Sequence, residues 1–262
     1  MRTKTFFSSV LLLCSFFCFS AAAQVPAKIE AYKAGESLVY EAKFSKALLR
    51  GIEVAVVNFT VEKSPGSRNF LVKSEAKSKG TLSGIVLRDF LQNYESTVDG
   101  ENFSILKTVK LDRQGDRVRQ SEAVFHYKTK RVIYTETDPD EAARPPLLVA
   151  SAIENGTQDL VSSIYALRRL PLAVGKSFEL KISDSGLIYT IPVHVTKREL
   201  QKSVSGKTWC FRVEPEVFGK NRLIEKDGTM IIWITDDARR LPVRAQINTD
   251  LGRIEVKLKR DK

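Results

Sequence analysis

The sequence predicts a mainly β protein: a single curved antiparallel sheet or incomplete barrel, with one helix packed across its concave face. Three observations carry this prediction. Apolar and polar residues alternate with period two along most of the chain, short turn-forming clusters separate the alternating runs, and only one segment repeats its apolar residues at helical spacing.

Taken from the N-terminus, the first 23 residues read as a secretory signal peptide. Arg2 and Lys4 precede an apolar run from Phe6 to Phe19, and Ala21, Ala22 and Ala23 supply the small residues of a cleavage site. The run is 14 residues long, short of the roughly 20 that span a bilayer. Leu13 before Cys14 and Phe17 before Cys18 do not suit lipidation. The expectation is an exported chain cleaved near Ala23, periplasmic in a Gram-negative cell, with residues 24–262 forming one β-rich domain of two halves joined by a helix near 158–170.

Within that domain, Gly51 to Val61 and Met230 to Ile234 are apolar on both faces and predict strands covered on both sides. From Phe70 to Lys79 the small residues Ser74, Ala76 and Ser78 share a face with Phe70 and Val72, leaving room there for a helix or a ligand. Asp112 to Asp116 and Asp184 to Gly186 are hairpin turns. The acidic residues Glu136, Asp138, Asp140 and Glu141 with Pro145 and Pro146 predict a loop leading into the helix. That helix, Gln158 to Leu170, places Leu160, Ile164 and Leu167 at helical spacing, behind a cap at Thr157 or Asp159, and Pro171 ends it. Leu187 to Val195 and Ile254 to Leu258 resume clean alternation with one wet face.

Composition narrows the function. With 42 Lys plus Arg against 31 Asp plus Glu the formal charge is +11, and loss of Arg2 and Lys4 lowers it to +9. A basic exported protein meets anionic lipid head groups, acidic polysaccharide or peptidoglycan. No zinc spacing, basic helix or RNP-like aromatic pattern points to nucleic acid, and no glycine loop to a phosphate cofactor. Cysteines 14 and 18 leave with the signal, so Cys210 has no disulfide partner. Alternation with Trp209 and Phe211 places it as a spare thiol on a polar face.

Catalytic and metal sites lack their signatures. His126 and His194 stand apart, no G-x-S-x-G elbow occurs, and Ser162 and Ser163 fall on the helix, where they pack. Asp236 and Asp237 are adjacent on a strand end, where they would make a turn before Arg239 more readily than an acid–base pair. The arginines are the better candidates. RRLP occurs twice, at Arg168 to Pro171 and at Arg239 to Pro242. Arg168, Arg169, Arg239 and Arg240 could bind an anionic group bidentately. Alternatively, Arg169 or Arg240 could pair with Asp159, Asp236 or Asp237 and tie the helix end to the hairpin that follows Trp233. Trp209 and Trp233 are core anchors on one reading and ligand platforms on another.

Three blocks, GESLVYEAKF (Gly35 to Phe44), DLVSSIYALRRLPLAVGKSFEL (Asp159 to Leu180) and IIWITDDARRLPVR (Ile231 to Arg244), resemble in order the signature blocks of the bacterial domain-of-unknown-function 3108 family. The resemblance covers nearly all the mature chain and implies an exported envelope protein without assigned catalytic residues. One departure is Lys46, Ala47 and Leu48, where a glycine-rich turn is expected. The plan is also similar to that of periplasmic lipoprotein carriers, a likeness at the level of fold only. The resulting expectation is a non-enzymatic envelope protein without cofactor or metal, binding an acyl chain, lipid or lipidated partner. The alternative is a structural or interaction module binding anionic polysaccharide, peptidoglycan or a membrane-protein partner through its basic surface.

Overall fold

The computed structural model describes residues 32–79, 89–141 and 143–261; the signal segment expected at 1–23 lies outside them. The described residues form a 15-stranded sheet and one helix. The first eight strands are β1 (Ser37–Lys46), β2 (Leu49–Lys63), β3 (Phe70–Ser78), β4 (Phe90–Val98), β5 (Ile105–Gln114), β6 (Arg117–His126), β7 (Arg131–Thr137) and β8 (Leu147–Ala152). The short β9 (Gln158–Asp159) and helix α1 (Leu160–Arg169) follow. The chain then runs through β10 (Ser177–Asp184), β11 (Leu187–Ser203), β12 (Gly206–Pro215), β13 (Gly228–Thr235), β14 (Pro242–Thr249) and β15 (Gly252–Asp261).

Spatial order explains the helix. The sheet reads β8-β7-β6-β5-β4-β3-β2-β1-β15-β14-β13-β12-β11-β10-β9, so the first and last strands are neighbours at its centre. The chain walks outward from β1 to one edge and must then reach the other edge before walking back to β15. Residues 153–157 make this step, since β9 already lies beside β10 at the far edge, and the helix then links these two parallel neighbours. Every neighbouring pair is antiparallel except β9 with β10.

The sheet curls until its edges approach without laddering. The β10–β11 turn at Gly186 (φ +78°) presses on β7 and β8: a Cβ there would lie 2.7 Å from Tyr134 Cβ and 2.8 Å from Val149 Cβ. Glycine meets both requirements, the left-handed φ and the close approach. Lys181 on β10 pairs with Glu154 just beyond β8. The result is an open sheet that stops short of a barrel.

Asp159 caps α1. It accepts from the Ser162 amide at 2.7 Å while its own amide donates to Ser162 Oγ at 3.0 Å, a reciprocal cap that satisfies two of the free donors at a helix start. Val161 and Tyr165 enter a core with Val61, Val72, Val98, Phe103 and Ile105 from β2 to β5 and the β4–β5 connection. Leu167 enters a second core with Ile182, Ile191, Val193, Phe211 and Ile234 from β10 to β13. One helix therefore joins the cores of both halves, and its apolar residues lose most of their exposure to water on both sides.

Three local expectations change. Asp138, Asp140, Glu141, Pro145 and Pro146 lie in the expected loop, but Glu136 belongs to β7 and the loop leads into the edge strand β8 (Leu147–Ala152) before the chain reaches the helix. The alternation rule also misplaces Cys210 and Trp209. Cys210 is fully buried with Trp233, Leu241, Val243 and Leu258, while Trp209 is half exposed. Both faces of β12 are covered here, Cys210 packing in one core and Phe211 in another, so alternation no longer distinguishes dry from wet.

Burial, followed by the negative charges of Asp237, Asp236 and Glu199, pushes the Cys210 thiol up to about 12 from 9.0. A thiol whose proton is held more tightly in the folded state stabilises the fold fully below pH 9.0, and this contribution fades as pH rises toward about 12. Iodoacetamide at pH 8 is therefore expected to label the processed native protein very slowly and the urea-unfolded chain fully. Rapid labelling without unfolding would refute the buried assignment.

Candidate functional site

Each sequence-nominated arginine has a distinct position. Arg168 is fully buried. Its guanidinium donates to Glu36 Oε1 at 2.7 Å and Oε2 at 2.8 Å, and to the Arg239 carbonyl at 3.1 Å. The Tyr165 ring lies 5.0 Å from it. Burial and the adjacent Glu36 charge push the Tyr165 hydroxyl far above its ordinary value. Nearby, Tyr40 donates to the Pro242 carbonyl at 2.8 Å. The three sequence blocks thus meet at one buried junction: Glu36 and Tyr40 from the first, Tyr165 and Arg168 from the second, Arg239 and Pro242 from the third.

Arg169, one residue on, points outward. It reaches the Asn102 carbonyl at 3.4 Å and stacks near Phe103, and Asp159 is occupied elsewhere, by Ser96, Thr108 and Ser162. The tie between helix and hairpin is therefore made by Arg168. Arg240 pairs with Asp236 at 3.2 Å and lies over Phe211, and Arg239 pairs with Asp261 at 2.7 Å. Asp237 closes the turn by accepting from the amides of Arg239 and Arg240 and from the Thr235 hydroxyl. That turn holds Arg240 at φ +50°. These groups are spent on one another.

Trp233 leads to a different site. Its indole donates to Glu199, and the Arg244 guanidinium stacks 4.5 Å from its ring. Arg244 is also held by Gln201 at 3.2 Å and Glu255 at 2.5 Å. It forms one wall of a groove of about 380 Å³ between the β11–β12 hairpin and β14–β15, with Lys202, Lys257, Lys259, Val204, Val243 and Leu258. Glu255 contacts Lys257 at 2.8 Å, and Glu41 contacts Lys259 at 3.1 Å. Burial alone would raise the Glu255 carboxyl, but Lys257 and Arg244 outweigh it and hold it below the ordinary range. Lys202 has no ion-pair partner among the described residues. The groove thus combines four cations, two neighbouring carboxylates and an apolar floor, a surface suited to an anion carried on a larger molecule.

Elsewhere the structure is less receptive. At the capped start of the helix, the space lined by Tyr94, Lys110, Asp159 and Asp184 is only about 30 Å³. Burial raises the Asp184 carboxyl there, against the pull of Lys110. The outer face of β2 to β5 carries a wider groove of about 440 Å³, but its lining sets the single cation Lys73 against Glu75 and Glu95, which does not suit an anion. Ser177 Oγ lies 2.9 Å from His194 Nδ1, and His194 Nε2 lies 3.1 Å from Glu216, which Arg222 also holds. Ser177 and His194 are direct cross-strand partners, and this exposed chain of contacts fastens the segment after β12 to the sheet. No group of three or more His, Cys, Asp or Glu among the described residues could hold a metal.

A family model for a protein of unknown function, DUF3108, matches residues 39–259. The chain belongs to the DUF3108 family. Among solved structures, this DUF3108 protein is similar to a β-barrel-like protein of the domain of unknown function DUF1849 from Brucella abortus. The TM-score is 0.53 at 9% identity, over 87% of this chain and 97% of that one. That likeness concerns fold, and agrees with the curled open sheet. No curated protein matches the chain.

The sequence missed Glu36 and the groove for different reasons. Glu36 stands inside the first of the three blocks, but nothing local signals a partner 132 residues away. Arg244 ends the third block and Lys257 lies within the alternating run of the last strand, but their meeting with Lys202 and Lys259 depends on the β11–β12 hairpin lying against β14 and β15.

Proposed function

We propose that this protein is an exported, non-catalytic module of the bacterial cell envelope that binds an anionic polysaccharide on its surface. The carrying observation is the groove formed by Lys202, Arg244, Lys257 and Lys259. The alanine-terminated apolar leader supports export, and the +9 charge of the processed chain supports an anionic partner. An acyl chain needs a void of roughly 300 Å³ or more, whereas the space at the capped start of the helix, between Asp159 and the β10–β11 turn, is about 30 Å³. This comparison favours a surface ligand over an interior one.

Affinity co-electrophoresis in alginate, a uronate polymer, tests the reading. The processed protein should be retarded, and Lys202→Glu with Lys259→Glu should weaken retardation by about tenfold or more at low salt while leaving the unfolding midpoint nearly unchanged. Equal retardation of protein and variant would overturn the groove assignment. Copurification of a stoichiometric acyl lipid, seen by native mass spectrometry, would instead favour the carrier.

A further inference from the structure

The end of the sheet opposite the groove carries a feature of another kind. The β1–β2 turn and the β14–β15 turn lie side by side because β1 pairs with β15, Ser45 standing opposite Arg253, and Lys46 Nζ donates to the Asp250 carbonyl at 3.3 Å. Leu48 at the first tip is 97% exposed and Leu251 at the second 59% exposed, with Leu49 between water and protein beside them. Ala47 reaches its place with φ +48°, a left-handed conformation that glycine would adopt without strain. The turn thus keeps side chains where glycines would relax it, and the leucine they present touches almost nothing.

Charge frames these leucines. Lys46, Arg50 and Arg253 are exposed, and none has an ion-pair partner among the described residues; Asp250 is the acidic residue of the two tips. A protruding apolar tip with a basic collar has no concavity to receive a polymer or a folded protein. It fits a soft surface that accepts a wedge and bears negative charge. We infer that the paired β1–β2 and β14–β15 tips are a docking element for an anionic phospholipid bilayer, Leu48, Leu49 and Leu251 entering the interface while Lys46, Arg50 and Arg253 meet the head groups. Burial of the leucines and attraction of the cations then add, which is the two-signal requirement for stable peripheral attachment. The groove, at the Val243 and Leu258 ends of β14 and β15, faces away from the tip, so a docked molecule keeps it accessible.

Sedimentation with sucrose-loaded vesicles of 70% phosphatidylcholine and 30% phosphatidylglycerol, using processed protein, tests this. Binding is expected to the mixed vesicles, to be weaker on pure phosphatidylcholine, and to fall with added salt. Leu48→Ser with Leu251→Ser should reduce partitioning by about tenfold or more, and Arg50→Glu by at least about fivefold. A Leu48→Trp probe should shift to the blue on the mixed vesicles only. All these positions are exposed turns, and unchanged unfolding midpoints will verify folding. Absence of vesicle binding, or binding unaffected by the leucine changes, overturns the inference. So does a self-associated protein that the leucine changes convert to monomer, since the tips would then meet a second copy. Groove variants should leave vesicle binding intact, which separates this test from that of the polysaccharide site.

Discussion

Arg168→Ala is expected to lower the unfolding free energy by about 3–5 kcal/mol, the scale for removing one partner of a buried ion pair. Glu36 would keep a carboxylate 3% exposed with its bidentate donor gone, and the Arg239 carbonyl would lose its donor as well. Arg168→Lys should recover little, because an ammonium cannot span both carboxylate oxygens and a carbonyl in the same plane. Arg168→Met combined with Glu36→Leu should recover much of the loss, since both charges then leave the interior together. The neighbouring Arg169→Ala should change stability by no more than about 0.5 kcal/mol. Chemical denaturation of the set decides the matter. Equal effects at 168 and 169 would show that the junction is not the fastening of helix to sheet.

Asp159→Ala is expected to cost about 2–4 kcal/mol, more than an ordinary cap. One carboxylate oxygen receives the Ser162 amide, and the other receives the hydroxyls of Ser96 and Thr108 from β4 and β5. Alanine leaves both hydroxyls buried without their acceptor and frees the start of α1. Asp159→Asn keeps an acceptor at the cap and should lose less. The distinguishing measurement is hydrogen exchange. The first turn of α1 should open independently of β4 and β5 in the alanine variant, and retained protection there would refute the coupling.

These two residues show how far local sequence carries. Asp159 was identifiable as a cap from its place before a helical run, but its second role was not. Ser96 and Thr108 lie 63 and 51 residues earlier, on strands whose alternation reveals only that they share a face. Arg168 and Arg169 are the same chemical group in adjacent positions at the same helix end. A helix turns about 100° per residue, so one enters the core and the other meets water, and which does so depends on how the helix is rotated against the sheet.

Period-two alternation, one amphipathic helix with its cap and proline stop, and closely spaced turns sufficed to determine a curved antiparallel sheet crossed by a helix. Those signals are local, each arising from a few neighbouring residues and the geometry of strand or helix. Only tertiary structure decided that β1 pairs with β15, that Cys210 is buried while Trp209 is not, and that a basic groove and a leucine tip occupy opposite ends. Each of those outcomes depends on segments far apart in sequence, whose contacts must repay the loop-closure entropy of meeting. No short window of residues contains that balance.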